Sequence, residues 1–221
     1  MLFRSFRLCQ FTNGTVQVDE VRLSRSGSAP QVKSMVKTKI IQLGIKSLRW
    51  PGGTAVDTFD WKKAIGPRIN RAEVADDFGI LETPALGLHE FLDLSEEIGV
   101  IPLMQVNVLG SASDAAELVE YILGSSATPQ GVIRAANGRV LPWSVAYFEI
   151  GNEPALNYTS AANYATLAKP IITAMKAKAG TLGKSIYISG VSEAAFQMAD
   201  WLAAVPMLDN WNTDVFAEYP K

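Results

Sequence analysis

The sequence predicts an α/β fold built on a parallel sheet, and three observations carry that expectation. Short apolar runs rich in β-branched and aromatic residues recur along the chain, closed by Gly, Pro or Asn, as buried parallel strands are. Helical patterns separate them, so each strand-to-strand connection is long enough for a right-handed crossover. Distinctive polar residues stand where strands end, and in a parallel sheet those ends share one face.

Length and composition narrow the function. The 221 residues suffice for one well-buried domain, but a complete eightfold barrel typically takes about 250. With 48% hydrophobic residues, 19% charged residues and a net charge of −2, there is no electrostatic case for nucleic acid. No apolar run reaches the length of a membrane span, so no membrane partner is expected. A single cysteine, Cys9, excludes an internal disulfide framework, and one histidine, His89, leaves no histidine-based metal cluster. Neither metal nor organic cofactor is expected, and any catalysis falls to carboxylates, amides and aromatics. The arginine-punctuated residues 1–9 lack the apolar core of a signal peptide; the compartment is left open.

Taken in order, residues 13–24 alternate at Val16, Val18, Val21 and Leu23 after an Asn-Gly turn, which predicts a half-solvated antiparallel strand. Residues 25–30 form a Ser/Gly/Pro linker. The expected domains are therefore a β segment with linker over 1–30 and an α/β unit over 31–221. A helix over 31–43 ends at Gly44, and a strand over 45–50 stops at Pro51-Gly52-Gly53. Residues 54–85 read as a long polar and aromatic connection, the kind that is either functional or hides elements. A helix with Leu88, Phe91, Leu92 and Ile98 on one face closes at Gly99. A strand over 100–108 follows, with Asn107 at its end, and Ser113 is placed to cap a helix that buries Ala115, Leu118, Val119 and Ile122. A strand over 145–150 precedes a helix over 159–179, which Pro170 should kink or divide. A strand over 186–189, a helix around 193–204 and a strand over 214–216 complete five strands with four intervening helical segments. No G-x-G-x-x-G or Walker pattern argues for a nucleotide-binding open sheet.

The chain is organised around residues 145–154, a buried strand that ends in Gly151-Asn152-Glu153-Pro154. A carboxylate just past such a strand lies where α/β barrels put their chemistry, which makes Glu153 a candidate acid/base and Asn152 a substrate-positioning amide. The plain alternative is a strand-to-helix turn with a capping residue. Arg49, Asn107 and Tyr219 end other strands and would converge on the same face. For them the alternatives are a salt bridge to a barrel-end carboxylate, a cap on the 111–113 turn, and packing. Trp50 and Trp61 are either core or rings on which a sugar stacks.

Leu48-Arg-Trp-Pro-Gly-Gly53, Asp60-Trp61, Ile65-Gly-Pro67, Gly87-Leu-His-Glu-Phe-Leu92, Glu97-Ile-Gly99, Val106-Asn107, Glu120-Tyr121, Arg134 with Asn137-Gly138, and Glu149-Ile-Gly-Asn-Glu153 stand in a telling order. It resembles that of the α-L-arabinofuranosidases of glycoside hydrolase family 51, well over residues 31–160 and loosely beyond. The resemblance implies a partial (β/α)8 barrel containing about the second to sixth strands, and retaining hydrolysis of terminal arabinofuranosyl residues from a carbohydrate substrate. It implies Glu153 as acid/base, Asn152 as the amide holding the sugar 2-hydroxyl, and Arg49 below the sugar. In such chemistry a buried glutamate protonates the leaving oxygen while a second carboxylate attacks.

The departures are equally concrete. Family members place the nucleophilic glutamate at the seventh strand, which this chain does not reach, and Ala217-Glu218-Tyr219 stands where His-x-Tyr is usual. The nucleophile is therefore expected outside this chain, with Glu193 and Glu218 as the candidate substitutes within it. The missing part of the barrel, or a second copy, is the expected protein partner. The alternatives are a non-catalytic carbohydrate-binding or remnant half-barrel, and another retaining glycosidase such as a xylosidase or endoglucanase.

Overall fold

The computed structural model describes residues 32–71, 73–75, 81–82, 84–153, 160–192 and 210–213. The predicted β segment and linker, the helix around 193–204, and residues Glu193, Glu218 and Tyr219 lie outside them.

Helix α1 (Ser34–Gln42) leads into strand β1 (Ser47–Trp50). The long connection that follows is not structureless. It holds three short 3₁₀ helices, Thr54–Thr58, Trp61–Ala64 and Arg68–Asn70, and an antiparallel ribbon of β2 (Val74–Ala75) and β3 (Leu81–Glu82). Helix α2 (Leu88–Ile98) buries Leu88, Phe91, Leu92 and Leu94, and strand β4 (Ile101–Val106) follows.

Helix α3 (Ala112–Leu123) is capped by Ser111, whose hydroxyl accepts from the Asp114 N–H at 3.0 Å. This corrects the expected cap at Ser113: both serines have the chemistry, but only Ser111 precedes the first helical residue. Helix α4 (Pro129–Ala136) is an element that the sequence patterns above do not assign. Thr128 as cap with Pro129 in the first turn is the signal that marks it.

Strand β5 (Tyr147–Ile150) is followed by α5 (Ala161–Thr181). Pro170 lies inside α5 and does not divide it. Its ring is exposed, while Tyr164, Ala168, Ile171, Ile172 and Met175 hold the opposite face in the core, so tertiary packing overrides the cost of one lost backbone bond. Strand β6 (Tyr187–Ser192) and strand β7 (Asn210–Thr213) complete the sheet. The strand pairing with β6 thus begins before the expected 214–216, which lie outside the described residues.

The five main strands run β1-β4-β5-β6-β7, all parallel, and their order in space is their order in the chain. A doubly wound sheet must reverse direction at a switch point. This one winds one way only, as the wall of a barrel does. The fold is a partial (β/α)8 barrel.

Register sorts the side chains. Trp50, Met104, Phe148 and Ile188 are neighbours across the sheet, all buried, and pack in the core with the helices. Phe148 is fully buried, and truncation to Ala would cost about 3–5 kcal/mol. The alternate positions, Arg49 and Leu103, then Gln105, Glu149 and Ser189, point to the opposite face.

The helix layer has a polar cluster of its own. Arg134, fully buried, donates to three backbone carbonyls, Tyr121 O at 2.6 Å, Val140 O at 3.0 Å and Arg139 O at 3.1 Å. The Tyr121 hydroxyl meets His89 Nε2 at 2.7 Å and accepts from Asn137 Nδ2 at 2.9 Å. Burial pushes the Tyr121 phenol up to about 12 and lowers His89 and Arg134.

Candidate active site

The end of β1 and the end of β5 meet through one arginine. Arg49 Nη1 donates to Glu149 Oε1 at 2.8 Å, and Nη2 donates to Asn152 Oδ1 at 3.0 Å. Glu149 is fully buried, whereas the Arg49 side chain keeps 29% of its surface open. A carboxylate in that position is tolerable only if paired and hydrogen-bonded. Gln105, its neighbour on β4, supplies a further bond from Nε2 to Glu149 Oε1 at 2.9 Å. The Gln105 Oε1 in turn accepts from the Gly52 N–H at 2.7 Å. Gly52 has a φ of 94°, which a side chain would make costly. The cluster therefore ties together three strand ends.

The turn after β5 is fixed from both sides. The Gly151 N–H donates to Val106 O at 3.0 Å, continuing the sheet, and the hydroxyl of buried Tyr164 donates to Ile150 O at 2.8 Å. Gly151 has a φ of 78° and Glu153 a φ of 34°. For a residue with a Cβ the left-handed region costs roughly 1–2 kcal/mol, so Glu153 sits on strained backbone directly after an asparagine that is 2% exposed. Strain of this kind gathers at functional turns. The Glu153 side chain is exposed, in contrast to the buried Asn152 before it.

Residues 39–212 match the family model described as the alpha-L-arabinofuranosidase 1 domain. The chain belongs to that family. Among curated relatives, an intracellular exo-alpha-L-arabinofuranosidase of Bacteroides ovatus is 37% identical over 114 residues, covering 50% of this chain and 22% of that protein. Alpha-L-arabinofuranosidase A of Aspergillus niger is 33% identical over 132 residues, 49% of this chain and 21% of that protein. Among solved structures, the Thermotoga maritima alpha-L-arabinofuranosidase, an arabinose complex, superposes with a TM-score of 0.71 at 26% identity, over 83% of this chain and 40% of that one. The family 51 enzyme of Bifidobacterium longum gives 0.69 at 27% identity, over 77% and 34%. The chain thus spans well under half the length of these relatives.

Within this arabinofuranosidase domain the other candidate residues fall into different surroundings. Asn107 follows β4, where Oδ1 accepts from the Leu109 N–H at 2.8 Å and Nδ2 donates to Phe59 O at 3.3 Å. It organises its own loop and makes no bond to the Arg49 cluster among these contacts. Trp50 is 6% exposed, stacked near Phe91 at 5.9 Å, edge-on to Phe59 at 5.2 Å, with its indole N–H on Leu86 O at 3.0 Å. No ring face is left open to a sugar, because β1 turns Trp50 to the helix side of the sheet. Trp61 is likewise 4% exposed and donates to Asp114 Oδ2 at 3.0 Å. Gln105 and Glu149 are the members of the cluster to which sequence reasoning gave no role. Their signal was a polar residue inside each of two otherwise apolar strands. Among the described residues no group of three or more His, Cys, Asp or Glu is gathered as a metal site would need, and no helix is long and apolar enough to cross a membrane.

Proposed function

We propose that the intact protein is a retaining glycoside hydrolase that releases terminal α-L-arabinofuranosyl residues from arabinose-containing polysaccharides or oligosaccharides, with Glu153 as its general acid/base. The observation that carries this reading is the strained Glu153, exposed beside an Asn152 that Arg49 pins to the end of β1. The named activities of the relatives support the substrate class.

In the first step the Glu153 carboxylic acid gives its proton to the glycosidic oxygen, while a second carboxylate attacks the anomeric carbon and the glycosidic bond breaks. In the second, the Glu153 carboxylate takes a proton from water, the water oxygen bonds the anomeric carbon, and the ester to the second carboxylate breaks. Asn152 and Arg49 position the sugar. Glu149 is a poor nucleophile, being fully buried and held by Arg49 and Gln105. The attacking carboxylate comes from another strand end. The sheet face that carries Arg49 also exposes Ile101, Tyr147 and Tyr187, an apolar patch that the remainder of a closed barrel, or a second copy, would cover.

The test is hydrolysis of an aryl α-L-arabinofuranoside by the intact protein and by Glu153→Ala, with and without azide. Turnover that falls in the variant and returns with azide, as arabinofuranosyl azide, is expected. A variant as active as the parent overturns the assignment.

A further inference from the structure

The turn that carries Glu153 starts from one peptide group, the one joining Ile150 to Gly151. Its N–H donates to Val106 O at 3.0 Å on β4, and its carbonyl accepts from the Tyr164 hydroxyl at 2.8 Å on α5. A peptide group is planar, so bonds at both of its ends fix the direction in which the chain leaves β5. Gly151, at a φ of 78°, and Glu153, at 34°, follow from that plane. Asn152 has a second anchor in Arg49. Glu153 is exposed, so its carboxyl is aimed by the backbone beneath it. Tyr164 reaches the turn because Ser160 caps α5, its Oγ accepting from the Asn163 N–H at 3.2 Å, which puts Tyr164 one turn into the helix. The ring is fully buried, and a buried phenol needs a partner for its hydroxyl. That partner is the last carbonyl of β5, and a phenylalanine would fill the same space without holding it.

We propose that Tyr164 is a positioning residue for the proton transfer: by holding the Ile150 carbonyl it sets where the Glu153 carboxyl stands relative to the leaving oxygen. This rests on the glycosidase reading above. Being fully buried, Tyr164 reaches no substrate, and it acts only on the step in which Glu153 gives its proton to the glycosidic oxygen. Without the hydroxyl the Ile150 carbonyl loses its tie to α5, and the strained turn above it relaxes. The Glu153 carboxyl then moves, whereas Asn152 stays on Arg49. The signature is a loss confined to substrates whose leaving oxygen needs a proton.

A purely structural role for Tyr164 would lower folding and slow every substrate alike, which separates the two. The experiment measures kcat/KM of the intact protein on an alkyl α-L-arabinofuranoside and on a dinitrophenyl one, for the parent, Tyr164→Phe, Tyr121→Phe and Glu153→Gln, with thermal unfolding of each. Displacing a reacting group by about 1 Å can cost on the order of a hundredfold. Tyr164→Phe is expected to lose about tenfold to a hundredfold on the alkyl substrate and little on the dinitrophenyl one. Tyr121→Phe also removes a buried hydroxyl, but from the helix layer. It is expected to unfold at lower temperature while keeping the parent's ratio between the two substrates. A Tyr164→Phe variant with the parent's ratio, or a Tyr121→Phe variant that shifts the ratio as far, overturns the proposal. Where Tyr164→Phe fails to fold, Tyr164→Met, which also lacks the hydroxyl, decides by the same ratio. A Glu153→Gln variant with undiminished rate on the alkyl substrate overturns the glycosidase reading and this one together. A strict Glu153 dependence with the parent's ratio in Tyr164→Phe overturns only this one.

Discussion

Arg134 in the helix layer and Arg49 at the strand ends are both held by oxygen acceptors, but the acceptors differ in kind. Arg134 is fully enclosed and directs its donors at three backbone carbonyls. Arg49 keeps part of its surface open and directs its donors at two side chains, one a buried carboxylate. Carbonyls fixed by the fold make a cluster that does one thing, joining the end of α3 to the loop after α4. Side chains from three strands make a cluster that can hold an amide in a chosen sense. The first arrangement is closed on itself, and on the function proposed above the second would face the substrate; the following measurements would break or sharpen that difference.

The largest stability effect is expected for Arg134→Met. Three carbonyls lose their donor at once, and at about 1–3 kcal/mol for each buried group left unsatisfied, urea unfolding should show a loss of several kcal/mol. Arg49→Met leaves Glu149 buried without its counter-charge and should cost about 3–5 kcal/mol. Much of that should return in the double variant with Glu149→Leu, because the burial penalty goes with the charge. No such recovery exists for Arg134, whose partners are backbone. Equal behaviour of the two arginines in this cycle would erase the distinction.

A smaller effect follows from pH. Burial lowers His89 below its ordinary value of 6.5, so the unfolded chain binds this proton more readily than the folded one. The carboxylates of Asp93 and Glu90 oppose that shift, and Arg71 and Arg134 add to it. The stability from keeping His89 neutral is therefore fully present above about 6.5 and declines as pH falls toward the lower folded value, by about 1.4 kcal/mol per unit of separation. The slope of melting temperature against pH between 7 and 5 should flatten in His89→Gln. The smallest effect is at the strained turn: Glu153→Gly should unfold within about 1 kcal/mol of the parent, and at higher temperature than Glu153→Ala, since only Gly relieves the positive φ.

The sheet was legible because its signals are local. Apolar strands of the right length, separated by crossover-length helices, dictate parallel pairing, and the strand ends that gather Arg49 beside Asn152 follow from it. Register was not legible. Gln105 and Glu149 sit side by side only because β4 and β5 pair as they do, and no spacing in one strand reports on the next. Trp50 shows the same limit: an aromatic at a strand end can face ligand or core, and Phe59, Phe91 and Leu86, which decide it, come from later elements. Ser111 and Ser113 differ by half a turn, within the uncertainty of any helix start. Pro170 persists because the buried face of α5 outweighs a single residue's preference.

The central claim, that Glu153 transfers the proton while Asn152 and Arg49 hold the sugar, is tested most directly by leaving-group dependence. The intact protein and Glu153→Gln would be compared on an alkyl α-L-arabinofuranoside, whose leaving oxygen needs a proton, and on a dinitrophenyl one, whose leaving oxygen does not. The account predicts a fall of about 10²–10⁴ for the variant in forming the glycosyl-enzyme from the alkyl substrate, and a rate close to the parent's for that step with the dinitrophenyl substrate. Equal losses on both would mean that Glu153 is not the acid, whatever the cluster beneath it holds.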